Sequence, residues 1–151
     1  MPVTFRCGVG MVIVGPTGEV LAFERSDQAG AFQMPQGGMA DGEEPLDALW
    51  RELGEETGLT EADVAVVAEV PEWLGYELPP GARSAKVGRG QVHKWFILRA
   101  KRPDPPVVLD RERTPEFRSW RWLPMADVVA QVAPFRRAVY RRLDDAVSAL
   151  D

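Results

Sequence analysis

The stretch from Gly37 to Leu59, GGMADGEEPLDALWRELGEETGL, constrains this chain more than any other. Pro45 suits a first helical position. Asp41, Glu43 and Glu44 put negative charge at the positive end of the helix dipole, and Gly58 marks a stop. At about 100° per residue, Leu46, Leu49, Trp50 and Leu53 fall on one apolar stripe, which is expected to face a core. Glu52, Glu55 and Glu56, spaced i, i+3, i+4, fall on a second stripe roughly a third of a turn away, close enough to form one carboxylate patch. Three like charges placed there repel one another.

That repulsion has two readings. Charged residues on a helix flank commonly form no more than a solvated face. Three carboxylates on a rigid element also make a site for a hard divalent cation, because Mg²⁺ takes oxygen ligands, keeps several waters, and binds through a few carboxylates plus substrate phosphates. Just upstream, Pro35-Gln36-Gly37-Gly38 reads as a backbone turn with little side-chain bulk, whose carbonyls and amides can approach a metal or a phosphate closely.

These residues resemble the Nudix box: Gly, five residues, Glu, seven residues, then Arg-Glu-apolar-any-Glu-Glu-any-Gly-apolar. Gly37, Glu43, Arg51, Glu52, Leu53, Glu55, Glu56, Gly58 and Leu59 fill all nine fixed positions. The resemblance implies hydrolysis of a nucleoside diphosphate linked to another moiety, with Mg²⁺ or Mn²⁺ held by the glutamates. It also implies an α/β/α sandwich with a mixed sheet. The order of elements agrees, since strands in runs, interrupted by the box helix and closed by a C-terminal helix, give a sheet covered on both faces.

Length and charge narrow the setting. A chain of 151 residues with 45% hydrophobic and 27% charged content is expected to form one domain, residues 1–151. There is no run of about 18 apolar residues for a membrane span, and the first residues lack the apolar core of a signal peptide, so a cytoplasmic protein is expected. The single cysteine, Cys7, lies in an apolar strand-like run and reads as a packed core thiol. A net charge of −5 and a pI near 5.0 argue against a protein that coats nucleic acid non-specifically. Recognition of one phosphorylated end needs only a local basic cluster.

Along the chain, Arg6 to Val14 and Glu19 to Arg25 read as a hairpin around Gly15-Pro16-Thr17-Gly18, and Phe32-Gln33-Met34 as a short strand. Val64 to Val70 is a continuous apolar run, expected to be a buried strand. Leu78 to Gly90 combines prolines and glycines with Arg83, Lys86 and Arg89, and reads either as a plain surface loop or as a mobile lid that gathers phosphate. Gln91 to Ala100 and Glu116 to Leu123 read as strands, Pro124 to Gln131 and Pro134 to Leu150 as helices. His93, the only histidine, reads as a structural or surface residue.

The resemblance extends beyond the box. Trp73 to Pro79, Gly90 to Phe96, Thr114 to Phe117 with Trp120 to Trp122, and Phe135 to Arg137 with Tyr140 to Arg142 are similar to segments of one subgroup, the bacterial RNA pyrophosphohydrolases and the related asymmetric diadenosine tetraphosphate hydrolases. It implies that the Gln36 carbonyl, Glu52, Glu55, Glu56 and Glu116 form the metal site, the glutamates being the catalytic set. Arg51 would pair with Glu43. Arg6, Arg25 and Lys94 would contact phosphates, Tyr76 and Phe135 would line the nucleoside end, and Phe135 with Arg136 would offer a stacking platform to a base. Two positions depart from the RNA enzymes: Ala31-Phe32 stands where they carry Ser-Trp, and Pro134 where they carry a small polar residue. The run Gly30 to Pro35, Gly-Ala-Phe-Gln-Met-Pro, is closer to the dinucleoside polyphosphate enzymes, so the substrate stays open between 5′-triphosphate RNA and a dinucleoside polyphosphate. A nucleotide-sugar or nucleoside triphosphate hydrolase would keep the chemistry, and a non-catalytic nucleotide-sensing domain would be expected to have lost box glutamates.

Overall fold

Alternation along one strand, β1 (Phe5–Val14), explains the layering. Successive side chains of a strand point to opposite faces. Val9, Met11 and Ile13 enter one core, while Val12 and Val14 enter another. In the computed structural model, which describes residues 4–150, eight strands form one mixed sheet around β1. The others are β2 (Val20–Arg25), β3 (Phe32–Gln33), β4 (Gln36–Gly38), β5 (Val64–Glu69), β6 (Leu74–Glu77), β7 (Gly90–Ala100) and β8 (Phe117–Leu123). The main path runs β3-β2-β1-β7-β5, with β4 paired to β1, β6 to β7 and β8 to β2. The parallel pair β1 and β7 stays in register from Phe5↔Gly90 to Val14↔Arg99.

Helix α1 (Pro45–Thr57) covers the face of Val9, Met11, Ile13, Leu21 and Phe96 with Ala48, Leu49 and Leu53. Helices α2 (Met125–Gln131) and α3 (Arg137–Ser148) cover the other face with Met125, Val128, Tyr140 and Leu143 against Val12, Val20, Trp95 and Ile97. The result is the expected α/β/α sandwich. Leu49 and Leu53 are fully buried, which stabilises the fold by about 1.5–3 kcal/mol each. Among the described residues no helix is long and apolar enough to cross a membrane.

Several expectations are corrected. Leu46 is 45% exposed, because the first turn of α1 is buried through Ala48 instead. β5 is mostly exposed although its sequence is apolar, since it lies at the sheet edge and pairs only with β7; Val66 and Val67 face outward and the register shifts between Val66 and Ala68. A bulge of this kind twists an edge strand away from further pairing. The Pro35-to-Gly38 stretch is not a free turn, because Gln36–Gly38 pairs with β1 at Gly8↔Gly38, Val9↔Gly37 and Gly10↔Gln36. Cys7 is exposed rather than packed, since β1 is covered only from Gly8 onward. Phe135 and Arg136 sit in a 3-10 turn, Pro134–Arg136, that precedes α3.

Gly58 ends α1 in the left-handed region, at φ 75°, and its N–H donates to Gly54 O at 3.0 Å. An L side chain there costs about 1–2 kcal/mol of backbone strain. A Cβ would also stand 3.1 Å from Val108 Cβ. Gly58→Ala is accordingly expected to lower the unfolding free energy in urea by about 1–2 kcal/mol; an unchanged midpoint would contradict this.

Candidate active site

The three box glutamates do not form one uniform patch. Taking Leu49 as origin and about 100° per residue, Leu53 lies at about +40°, Glu56 at about −20°, Glu52 at about −60° and Glu55 at about −120°. Burial follows that order: Glu56 is buried, Glu52 half-buried and Glu55 exposed. Glu56 thus continues the core stripe of Leu49 and Leu53. Burial, with Glu52 and then Glu116 and Glu112 nearby, pushes its carboxyl well above the usual carboxylate range. Its Oε2 has no hydrogen-bond partner. Glu52 is also raised, burial outweighing the opposing pull of Arg51.

Arg51 ties this helix to the glycine strand. Its Nε donates to Glu43 Oε2 at 2.9 Å and its Nη2 to Glu43 Oε1 at 2.8 Å, the two-point fork that guanidinium and carboxylate favour. Nη2 also donates to Gly38 O at 2.9 Å, and Nη1 to Glu52 Oε1 at 2.8 Å. Hydrogen bonds from Arg51, then from the Ala40 N–H, hold Glu43 down at about 2. The bare backbone of Gly37 lies against the Glu52 carboxylate, so any side chain at position 37 would take that carboxylate's place.

A cleft of about 520 Å³ opens beside these groups. Glu52, Glu56, Glu112 and Glu116 line it, and so do Arg6, Arg25, Lys86 and Arg136. Carboxylates and cations share one concave wall, which suits a cation together with a polyphosphate. Gln33, Gln36 and Gln91 also line it. The Gln36 amide donates to Tyr76 Oη at 3.0 Å, and Tyr76 Oη donates to Gln91 Oε1 at 2.8 Å. Arg136 donates to Gln33 Oε1 at 2.6 Å and lies over the rings of Phe135 and Tyr76, at 5.2 and 5.7 Å. Short strand β3, which carries Gln33, is pinned from the helices: Gln131 holds both backbone groups of Phe32, and Tyr140 Oη accepts from Met34 N–H at 2.9 Å.

Most of the residues singled out in the sequence gather here. Glu52, Glu56, Glu116, Gln36, Arg6, Arg25 and Arg136 all line the cleft. Tyr76 reaches it through its hydroxyl bonds, and Phe135, which does not line it, packs at a tilt against Tyr76 at 5.4 Å, half-buried against the core that α3 covers. Two more lie away from the cleft. Lys94 is buried, its Nζ donating to Pro71 O at 2.9 Å and pairing with Glu69 at 2.8 Å; by strand alternation it shares the face of Phe96 and Leu98, opposite the one that holds Trp95 and Ile97. Glu55 turns outward and meets Arg51 at 3.5 Å. Among the described residues no three His, Cys, Asp or Glu side chains stand close enough to hold an ion as they are placed. The donors nonetheless fit a hard cation: they are all carboxylate oxygens, and one is buried without a partner.

Sequence reasoning missed Glu112 and Gln33 and set His93 aside. Glu112 sits in an Arg-Glu-Arg run that reads as a solvated connection, so nothing in the sequence marks it. His93 is buried between Tyr76 and Trp95, and burial, then the nearby Arg136, lower its pKa to about 4. It also lines the cleft, as a neutral ring.

The chain matches the NUDIX domain over residues 4–143. The chain belongs to the Nudix family. This Nudix hydrolase is 43% identical over 150 residues to a protein of Roseobacter denitrificans named RNA pyrophosphohydrolase, spanning 96% of this chain and 92% of that one. It is 45% identical over 141 residues to a protein of the same name from Aliivibrio fischeri, spanning 91% and 82%. Two solved structures share the fold. The dihydroneopterin triphosphate pyrophosphohydrolase of E. coli superposes with a TM-score of 0.74 at 18% identity, covering 95% of this chain and 99% of that one. An Ap4A hydrolase of C. elegans, in a binary complex, gives 0.71 at 21% identity, covering 96% and 99%.

The basic segment before β7 sends one cation to the cleft. Lys86 lines it, whereas Arg83 Nε donates to Leu78 O at 2.8 Å and Arg89 pairs with Glu77 at 2.8 Å. In this Nudix hydrolase, Lys86→Ser is expected to raise KM several-fold for a polyphosphate substrate with kcat little changed, and Arg83→Ser and Arg89→Ser to leave both near the wild-type values. Steady-state kinetics of the three variants read this directly, and equal effects at all three positions would contradict it.

Proposed function

We propose that this Nudix hydrolase removes pyrophosphate from the 5′-triphosphate end of RNA, using Mg²⁺ or Mn²⁺. The observation that carries the choice of RNA is the 43% identity, over 96% of the chain, to a protein named RNA pyrophosphohydrolase. The two-signed cleft supports it, since a triphosphate needs cations along its oxygens and a base needs a ring and a guanidinium such as Phe135 and Arg136 provide.

Glu52 and Glu56 would hold the ion, with Glu116 as a further ligand or base; Glu55, turned outward toward Arg51, stands outside that set. When bound, the ion supplies the positive charge that neutralises phosphate oxygens and makes an attacking water more acidic. The remaining work falls to the chain. Arg6, Arg25 and Lys86 bind phosphate oxygens and orient the phosphorus for attack. Arg51 keeps Glu52 turned toward the cleft wall while Glu43 holds the other side of the guanidinium. The neutral His93 adds no competing cation beneath the nucleoside end.

A panel of 5′-triphosphorylated RNA, diadenosine tetraphosphate and a nucleotide sugar tests the proposal. With Mg²⁺ present, RNA is expected to give the highest kcat/KM, leaving a 5′-monophosphate end and free pyrophosphate. Preference for diadenosine tetraphosphate by about tenfold or more, a difference of about 1.4 kcal/mol in transition-state binding, would assign the enzyme to the dinucleoside polyphosphate branch instead.

A further inference from the structure

The connection from β7 to β8 crosses the C-terminal end of α1. Helix ends leave carbonyls short of donors, and this connection adds two, one of them to Gly54 O, which the Gly58 N–H also reaches. Val108 N–H donates to Thr57 O at 2.8 Å, and Arg111 Nη1 donates to Gly54 O at 3.3 Å. At its far end, the Glu116 carbonyl accepts from Ser26 N–H at 3.0 Å. Glu112 stands between these anchors and lines the cleft together with Glu52, Glu56 and Glu116. Its carboxylate faces Glu55, Glu52 and Glu116, and among the described residues it has no ion-pair partner.

A carboxylate on a connection flanked by Arg111 and Arg113 has every opportunity to face solvent and pair locally. This one is delivered to a wall that already carries three others, and among the described residues none of the cleft's cations Arg6, Arg25, Lys86 and Arg136 forms an ion pair with any of the four, an arrangement that costs free energy unless a cation comes between them. Independently, Glu56 is 8% exposed, lines the same cleft, and keeps its Oε2 without any hydrogen-bond partner. An acceptor left unpaired on a buried residue that also lines a cleft marks a place where a donor or cation binds. We propose that Glu112 supplies a further carboxylate to the divalent-ion site of Glu52 and Glu56, delivered there by the contacts that lash its connection across the end of α1. The inference rests on the metal-dependent reading given above. It adds to the ion site a ligand from a loop, so that retention of the ion depends on how that loop is tied to α1.

The test is Mn²⁺ binding to the full chain without substrate, followed by calorimetry and by the loss of the free-ion paramagnetic resonance signal. Glu112→Gln keeps shape and removes charge, and its exposed position makes a folding defect unexpected; the ion-free melting curve checks this. Glu19→Gln, in the turn between β1 and β2, controls for loss of one negative charge anywhere. Glu112→Gln is expected to weaken Mn²⁺ binding about tenfold or more, the scale set by losing a group that supports a metal site, with Glu19→Gln unchanged. Isotherms for Glu112→Gln that overlay wild type overturn this inference and leave the metal reading intact. Equal weakening in Glu19→Gln overturns it as a general charge effect. A wild-type chain that takes up no Mn²⁺ overturns the metal reading and this inference with it.

Discussion

The carboxylate of Glu56 occupies a position on α1 that the helix geometry assigns to the core. It follows Leu49 and Leu53 on the same stripe, is 8% exposed, and has Glu52, Glu116 and Glu112 around it. An isolated charge cannot be left in such a place at neutral pH: it takes up a proton, or it acquires a counter-charge. Arg51, the cation nearest in sequence, is already committed to Glu43, Glu52 and Gly38 O. The side of Glu56 open to a counter-charge is the cleft that it lines with Glu52, Glu112 and Glu116.

Close approach is what makes this arrangement possible. β4 pairs with β1 glycine against glycine, at Gly8↔Gly38, and Gly37 leaves room for the Glu52 carboxylate beside the backbone. Arg51 then joins β4 to α1 through Gly38 O and Glu52. On the opposite wall, Tyr140 and Gln131 hold β3, and through Gln33 they fix the guanidinium of Arg136 over Tyr76 and Phe135. One wall of the cleft therefore hangs from α1 and the other from α2 and α3, so both cores of the sandwich contribute to one site.

Much of this was legible in the sequence because it is local. The start and stop of α1 and the glutamate spacing depend on residues within one stretch, where helical periodicity fixes relative direction; the Arg51–Glu43 pair came from the resemblance of that stretch to the Nudix box. Local patterning also gave the sandwich, through strand runs around one helix. It failed where position in the sheet decides. Val64 to Val70 reads as buried, yet an edge strand has a neighbour on one side only, and Val66 and Val67 face solvent. Lys94 has the right charge on the right strand but points toward Glu69. Cys7 and Gly8 are adjacent in an apolar run, and only the second lies under cover. Glu112 was invisible because its place depends on a loop draped over a helix end, a contact between residues 54 and 111 that no period in the sequence encodes.

The same burial sets up the most direct test. The folded-state pKa of Glu56 lies above its unfolded value, so its contribution to stability is present below the ordinary carboxylate range and is lost as pH rises beyond it. Replacing it by glutamine removes that loss without changing shape. The measurement is the melting temperature of wild type and Glu56→Gln between about pH 5 and about pH 8, with and without Mg²⁺. A buried carboxylate that requires a cation predicts that ion-free wild type falls below Glu56→Gln as pH rises, and that Mg²⁺ raises the wild type while leaving the variant nearly unmoved. Parallel pH profiles, with an equal gain from Mg²⁺ in both proteins, would contradict it.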